Sequence, residues 1–390
     1  MNICMIASGY PSKSKPVLDV FIHEQAREMV KQGLNVHVII PSVDDSPREE
    51  TVEGVHVHRV INSNFKPARL FSFVFAVKVM RKAARLNKTE KFDVVHSHFA
   101  DHAGFAGAII SKILRRPFVL TTHGYDVYYS KELGYGIGTT WLGRVYTSFI
   151  LKRADKICPV SNALKKQCIT RWHINPKKLE VNHDGTHITK PPAEDELNRF
   201  KSILNIDDKK VILSVSSLIK RKGHQNIVKA LPAVIREVPD AIFILVGEGP
   251  YLPELERLIK ELKLQSYVKI TNRFANRSEL PMFLSICDVF VLASVLEAFG
   301  IVYLEALALG KPVIGSRGEG DEDFIVDGEN GFLVDPTNTD ELAKRIVVLL
   351  KDKSLRESMG QKGKKDVVES YLWKHNVEKL ARTYEELVRQ

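Results

Sequence analysis

The chain predicts two doubly wound α/β domains in tandem, each a largely parallel sheet with helices on both faces. Three observations carry this prediction. Short apolar runs of about five residues alternate with amphipathic stretches of ten or more, the rhythm of βαβ units. That rhythm breaks at the polar, proline-rich stretch Lys190-Pro191-Pro192-Ala193-Glu194-Asp195 and then restarts. At ~150 residues per domain, 390 residues suffice for two domains that each bury a core.

In the first half, strands are expected at residues 2–7, 35–40, 55–60, 93–98, 118–122 and 156–160, with helices near 20–32, 102–114 and 141–153. The opening run turns at Ser8-Gly9-Tyr10-Pro11 and is too short, with no basic residues before it, for a secretion signal. In the second half, strands are expected at 211–215, 242–246, 268–270, 288–292, 312–315 and 331–334. Helices are expected at 225–236, 253–262 and 301–309, and then from Thr339 onward. The domains are therefore placed at 1–190 and 191–371. Open α/β sheets bind ligands outside the carboxyl ends of their strands, so two Rossmann-like domains facing across a cleft would place chemistry on the loops after strands.

With 44% hydrophobic and 27% charged residues, the composition is that of a globular protein and excludes disordered, collagenous and coiled-coil chains. Cys4, Cys158, Cys168 and Cys287 form no CxxC pair and have no histidine at ligand spacing. A disulfide framework and structural zinc are not expected, and a reducing cytoplasm fits. The most apolar run, residues 70–77, is far short of the ~20 residues a membrane helix needs.

The net charge of +10 is unevenly divided. Residues 1–190 hold 28 Lys and Arg against 16 Asp and Glu, a balance of +12, whereas the remainder holds 29 against 31. An anionic partner for the first half is implied. Residues 66–91 concentrate this charge: Lys66, Arg69, Lys78, Arg81, Lys82, Arg85, Lys88 and Lys91 stand against Glu90 alone, interleaved with Phe71, Phe73 and Phe75. Two readings fit, a solvated basic face on a helix packed against the sheet or a helix lying on anionic headgroups.

The stretch from Ala293 to Ile314 carries the densest chemistry. A strand ends, the loop Glu297-Ala298-Phe299-Gly300 follows, and a helix begins near Gly300. The open amides from Phe299 to Val302 can cradle a phosphate at the positive end of the helix dipole. Glu297 lies just before the helix and Glu305 more than a turn inside it. One carboxylate can face the reacting centre while the other accepts hydrogen bonds from paired hydroxyls such as those of a ribose.

This arrangement resembles the Glu-x7-Glu signature of retaining glycosyltransferases with the GT-B fold, the family 4 group (glycosyltransferases group 1) that uses nucleotide sugars. The resemblance implies that Glu297 sits by the donor sugar, Glu305 binds the ribose, and Phe299, Gly300, Ile301 and Val302 hold the diphosphate. Ser214-Val215-Ser216-Ser217-Leu218-Ile219-Lys220-Arg221-Lys222-Gly223-His224 is similar to the family's strand and cationic loop, with Lys222 at the lysine that neutralises the leaving diphosphate. Ser217 stands where the family commonly has an arginine, so that charge is absent or is supplied by Arg221.

Further matches follow the same family. Gly9-Tyr10-Pro11 resembles the opening loop, where glycine lets backbone approach the donor phosphates. Thr121-Thr122-His123-Gly124-Tyr125-Asp126 is similar to the segment whose histidine, here His123, lies beside the donor sugar through its ring or its carbonyl. Arg273-Phe274 falls near the base, and Gly247-x-Gly249 beside base and phosphate. Asn182-His183-Asp184-Gly185 keeps a turn but no assigned role, and His96 and His98 are assigned to packing. Gly318-Glu319-Gly320-Asp321-Glu322-Asp323 resembles the donor-side glycine loop. Its Asp321-x-Asp323 mimics a metal motif, but Lys222 and helix amides can take the metal's place, so neither a metal nor a cofactor is expected. The resemblance also implies that a last helix, 372–390, crosses back to the first domain.

The expectation is a retaining, metal-independent hexosyltransferase. It would move a hexosyl or N-acetylhexosaminyl unit from a nucleotide sugar, UDP being the family's commonest carrier, to a lipid-linked or cell-surface polysaccharide acceptor. It would act in the cytoplasm, at the inner face of the membrane where residues 66–91 touch lipid, and would take no nucleic acid. GDP stays open as the nucleotide. An epimerase would turn over without acceptor and a sugar phosphorylase would need inorganic phosphate. A non-enzymatic polyanion binder would show salt-dependent DNA affinity and no sugar-nucleotide binding.

Overall fold

A computed structural model describes residues 1–62, 64, 70–276 and 279–389. The chain forms two compact units, Met1–Gly185 with Trp373–Gln390, and Thr186–Leu372. The first boundary thus falls at Gly185, ahead of the expected residue 190.

The first unit contains β1 Asn2–Ile6, α1 Val20–Lys31, β2 Asn35–Ser42, β3 Glu49–Val52, β4 Val55–Asn62, α2 Phe71–Glu90, β5 Val94–His98, α3 His102–Leu114, β6 Phe118–Thr122, α4 Trp141–Arg153, β7 Lys156–Pro159 and α5 Asn162–Thr170. Among the described residues the strands form one sheet in the order β3-β4-β2-β1-β5-β6-β7. All neighbours run parallel except β3, which pairs antiparallel with β4. This edge strand reads Glu-Glu-Thr-Val and lies largely in solvent, so it lacks the apolar run that announces the others. Ile3, Met5, Val36, Val38, Val94 and Val119 build the core along the sheet. The chain winds outward in both directions from the gap between β1 and β5, a switch point that opens a crevice at the strands' carboxyl ends.

Helix α2 sorts the basic segment into faces. Phe75, Val79 and Ala83 are buried, whereas Lys78, Arg81, Arg85 and Lys88 recur at helical spacing on the exposed side. Of the phenylalanines, Phe73 is the exposed one. The described part of the segment thus sets an exposed basic face over a buried apolar one, as both readings require; Lys66 and Arg69 lie outside the described residues.

The second unit contains α6 Glu194–Leu204, β8 Lys210–Val215, α7 His224–Glu237, β9 Ala241–Val246, α8 Leu252–Glu261, β10 Val268–Ile270, α9 Glu279–Ile286, β11 Val289–Val291, α10 Ile301–Ala308, β12 Val313–Ser316, β13 Gly331–Val334, α11 Thr339–Lys351 and α12 Lys353–Ser370. The expected linker is shorter than its composition suggested, because Glu194 and Asp195 already belong to α6. The Glu196 carboxylate accepts the Ala193 amide at 3.1 Å, and three acids in the first turn complement the helix dipole. The strands run parallel in the order β10-β9-β8-β11-β12-β13, with the switch point between β8 and β11. Ile227 and Leu231 of α7 pack with Phe243, Val291 and Ile346 in its core.

Where the chain enters and leaves this unit, the Thr186 amide donates to the Tyr371 carbonyl at 2.9 Å. The last helix, α13 Trp373–Arg389, joins the first unit. Val377, Leu380 and Tyr384 enter that unit's core, and Asn376 accepts from Gln25 (2.8 Å) and donates to the His183 carbonyl (2.6 Å). All four cysteines are buried free thiols. Among the described residues no helix is long and apolar enough to cross a membrane.

Candidate active site

The switch point of the second unit assembles most of the predicted donor residues. After β8 the chain makes a tight turn at Lys220–Lys222 and enters α7 through Gly223, whose φ is +72°. A Cβ on Gly223 would overlap the carbonyl oxygen of Ala293, just beyond β11. Glycine is what lets the lysine-bearing turn lie against the end of the neighbouring strand. As a result Lys222 Nζ lies 2.6 Å from Glu297 Oε2, although the residues are 75 positions apart in sequence. Ser294 Oγ donates to the same carboxylate oxygen at 3.0 Å. The Arg221 guanidinium donates to the Leu296 carbonyl at 2.7 Å, and the Val295 amide returns a bond to the Arg221 carbonyl at 2.8 Å.

Glu297 is 5% exposed. Burial alone would push its carboxyl up, but the charges of Lys222 and Arg221 and the hydrogen bonds from Lys222 and Ser294 outweigh it and hold the group below the ordinary carboxylate range. A buried, ionised carboxylate thus pairs with a half-buried lysine at the loop that leads into α10.

Gly300, with φ +91°, precedes α10, whose first residues are Ile301 and Val302. Their amides open the helix toward this loop. Phe299 contributes backbone only, since its ring is buried against Phe324 with centroids 5.1 Å apart. Glu305 is half-buried one turn further along, and desolvation pushes its carboxyl up to about 7.

The glycine-rich loop after β12 closes over the Glu297 loop. Glu319 Oε2 accepts the Glu297 amide at 2.8 Å, the Gly320 amide donates to the Glu297 carbonyl at 3.0 Å, and a Cβ on Gly320 would overlap the Ala298 carbonyl oxygen. Asp321 is buried and accepts the Ser316 amide at 2.6 Å. Among the described residues no group of three or more His, Cys, Asp or Glu is placed to hold a metal ion. Burial drives both Glu319 and Asp321 up to about 8, with the Glu297 charge adding to each.

These raised values have a sign. Folding the protonated acids costs little, whereas folding them ionised costs desolvation, so their contribution is intact below the ordinary range near 4 and is lost as pH rises through about 8. Asp321→Asn is expected to raise the melting temperature at pH 8.5 and not at pH 4. The gain should be roughly 2–4 °C for each kcal/mol of ionisation cost removed. Thermal unfolding at the two pH values checks this, and an equal shift at both would refute it.

Ser217 sits half-buried in the same turn, its carbonyl accepting from the Ile219 amide at 3.0 Å. Arg273 bridges to Gly247 beyond β10, and its exposed guanidinium holds Glu279 through two bonds of 2.6 and 2.7 Å. Phe274 beside it is exposed.

In the first unit the loops after β1, β5 and β6 converge. Gly9 backs onto the Asp19 carboxyl, which burial raises to about 6, and Ser8 Oγ donates to Asp101 Oδ1 at 2.5 Å. His123 shares a hydrogen bond with His98 (Nε2 to Nδ1, 2.9 Å), while its Nδ1 lies 3.7 Å from Asp184 Oδ2. Phe21 and Phe99 flank its ring at 4.7 Å each. Asp126, buried, accepts the amides of Ala100, His123 and Gly124 at 2.9, 3.2 and 2.9 Å and so shapes the turn that carries His123.

His98, Asp126 and Asp184 thus surround a residue the sequence had singled out alone. His98 does more than the packing assigned to it. The alternation His96-Ser97-His98 at a strand end was the available signal, because alternate strand residues share a face. His96 does hold structure: it bonds Thr121 Oγ1 (2.8 Å) and the hydroxyl of Tyr384 on α13 (2.7 Å), and burial lowers it to about 3.

Each unit is a doubly wound, largely parallel sheet, and the second carries a cation–carboxylate pair beside a helix start at its switch point, the place where open α/β sheets bind ligands. Residues 195–366 match the glycosyl transferases group 1 family, and residues 18–190 match glycosyltransferase family 4. An uncharacterised glycosyltransferase of Methanocaldococcus jannaschii is 30% identical over 393 residues, spanning 98% of each chain. The alpha-monoglucosyldiacylglycerol synthase of Acholeplasma laidlawii is 27% identical over 367 residues, covering 89% of this chain and 87% of that one. In structure the chain is similar to Anabaena HepE in complex with UDP and glucose, with a TM-score of 0.80 at 22% identity over 99% of this chain and 100% of that one. The chain belongs to the family 4, group 1 glycosyltransferases, and its fold is GT-B.

Proposed function

We propose that this glycosyltransferase is a retaining, metal-independent hexosyltransferase that moves a hexosyl or N-acetylhexosaminyl unit from a UDP-sugar to a lipid-linked or cell-surface saccharide acceptor, working at the inner face of the cytoplasmic membrane. The observation that carries the reading is the pairing of Lys222 with the buried Glu297 carboxylate at the mouth of α10. In the structure the lysine charge is met by Glu297. A diphosphate would bring its own negative charge to the same ammonium and to the amides of Ile301 and Val302, with Arg221 in the place of the family's arginine.

Glu305, ionised above about pH 7, accepts the paired ribose hydroxyls. In the transfer the bond between the anomeric carbon and the phosphate oxygen breaks as the acceptor oxygen approaches on the same face of the sugar. The acceptor proton passes to the departing phosphate, and no carboxylate of the protein forms a covalent intermediate. HepE, solved with UDP and glucose, supports the choice of donor, and the Acholeplasma enzyme, named for a glucosylated diacylglycerol, supports a lipid-borne acceptor.

A thermal-shift and calorimetric screen against UDP, GDP, ADP and their sugar conjugates, with and without Mg²⁺, tests the proposal, because a ligand of the folded state raises the melting temperature by mass action. A UDP shift independent of Mg²⁺ is expected. A shift with GDP alone would correct the nucleotide, and turnover of the sugar nucleotide without acceptor would point to an epimerase. Glu305→Ala is expected to weaken UDP binding by about 10- to 100-fold, the worth of a charged hydrogen-bonding group. Calorimetry on the folded variant measures it, and an unchanged Kd would remove Glu305 from the ribose.

A further inference from the structure

We propose that the outer face of α4 inserts into the headgroup region of an anionic lipid bilayer. The inference does not depend on which sugar is transferred. Trp141, Leu142, Val145 and Phe149 are 67, 70, 51 and 40% exposed, whereas Thr147, Ile150 and Leu151 are buried. Positions 141, 142, 145 and 149 fall on one helical stripe, so this thirteen-residue helix turns its two largest apolar side chains, Trp141 and Phe149, outward with Leu142 and Val145. Such a contiguous patch on a soluble surface marks an interaction site. The helix is not loose: Phe105 of α3 packs on Tyr146 and Phe149 with centroids 5.5 and 6.2 Å apart.

The surround of the patch selects its partner. Lys152 and Arg153 are exposed where α4 ends, and Arg153 joins Lys112, Arg115 and Arg116 around a cavity of about 340 Å³ whose lining includes one acid, Asp155. The exposed lysines and arginines of α2 add to the same sign. Apolar side chains within a basic rim match the two layers of an anionic membrane surface, acyl boundary and phosphate. A second copy of this chain would set the same cations against one another, and a nucleic acid would leave the apolar stripe in water.

The position also suits an acceptor carried in lipid. In a βαβ unit a helix begins at the carboxyl end of the preceding strand, so Trp141 and Leu142, at the start of α4, lie toward the sheet end that carries Gly9 and His123. Leu70 and Phe73 are exposed at the start of α2, which packs through Phe71 and Phe75 on His102 at the start of α3.

Tryptophan fluorescence tests this directly. Of the three tryptophans, Trp172 and Trp373 are 5 and 3% exposed, so a change on adding lipid reports Trp141. Vesicles of phosphatidylcholine with phosphatidylglycerol are expected to blue-shift the emission, and brominated acyl chains to quench it; pure phosphatidylcholine should do neither. Trp141→Phe should abolish the spectral change while co-sedimentation persists. The pair Leu142→Ser and Phe149→Ser should lower vesicle affinity by about 10-fold or more, and Lys152→Glu with Arg153→Glu should do the same at low salt. Circular dichroism confirms that these surface variants are folded. Vesicle binding that leaves Trp141 emission unchanged would overturn the assignment, as would equal binding to neutral lipid. Concentration-dependent dimerisation that covers Trp141 without vesicle binding would overturn it in favour of a second copy.

Discussion

Lys222→Ala is expected to lower kcat by about 10²–10³-fold, the usual effect of deleting one preorganised group that stabilises developing negative charge. It should also destabilise the second unit by up to about 3 kcal/mol, because removing the lysine strands the buried Glu297 carboxylate, which Ser294 still holds. Both effects arise from the same geometry. Lys222 Nζ sits 2.6 Å from a carboxylate that Ser294 also holds, in a loop closed over by Glu319 and Gly320.

The two effects separate in a double variant. In Lys222→Ala with Glu297→Gln the stranded charge is gone, so stability should recover while kcat stays low. The pH dependence gives a second separation. The depressed Glu297 carboxyl contributes stability that is present above the ordinary carboxylate pKa and lost as pH falls through its folded value. In Lys222→Ala burial is no longer outweighed, so the variant's stability deficit should be largest at neutral pH and should narrow as pH falls and Glu297 takes up a proton. Steady-state kinetics with chemical denaturation across pH measure both. Unchanged kcat with lost stability would make Lys222 a structural partner of Glu297 and nothing more.

The residues that make this pair were legible individually, but the distance between them was not. Strands buried on both faces announce themselves as apolar runs, and β6 at Phe118–Thr122 and β13 at Gly331–Val334 fall where those runs lie. Edge strand β3 carries charge in place of such a run, and the pairing that places it on β4 is a tertiary property. Helix α6 was hidden for a related reason: its start follows two prolines, and a polar composition resembles a linker until the Glu196 cap is seen.

Lys222 and Glu297 were each marked by local pattern. Only the order β9-β8-β11-β12 shows that their loops meet, since β8 and β11 are neighbours separated in sequence by two helix–strand excursions. His98 was missed because a strand histidine that only packs and one that hydrogen-bonds a second histidine on the next strand's loop look the same until the partner at 2.9 Å is known.

Gly223→Ala should reduce stability and activity together. Its φ of +72° costs an L-residue about 1–2 kcal/mol before any contact is counted. The added Cβ would also overlap the Ala293 carbonyl, an atom of rigid backbone that no side-chain rotation can move aside. Either the Lys220–Lys222 turn or the end of the chain after β11 must shift. One carries Lys222 and the other leads to Glu297, and the 2.8 Å bond from the Val295 amide to the Arg221 carbonyl joins them. A loss of about 3 kcal/mol or more is expected, with kcat down by about 10²-fold, because displacement of a catalytic group by an ångström is enough for that.

Gly33→Ala separates backbone conformation from contact. Gly33 has φ +83°, yet a Cβ there would meet nothing within 4 Å. That variant should pay only the left-handed conformational cost and keep full kcat. Thermal unfolding and kinetics of the two variants, assayed well below both melting temperatures, make the comparison. If Gly223→Ala matched Gly33→Ala in both measurements, the close approach of the β8 and β11 loops would not be what holds the site together.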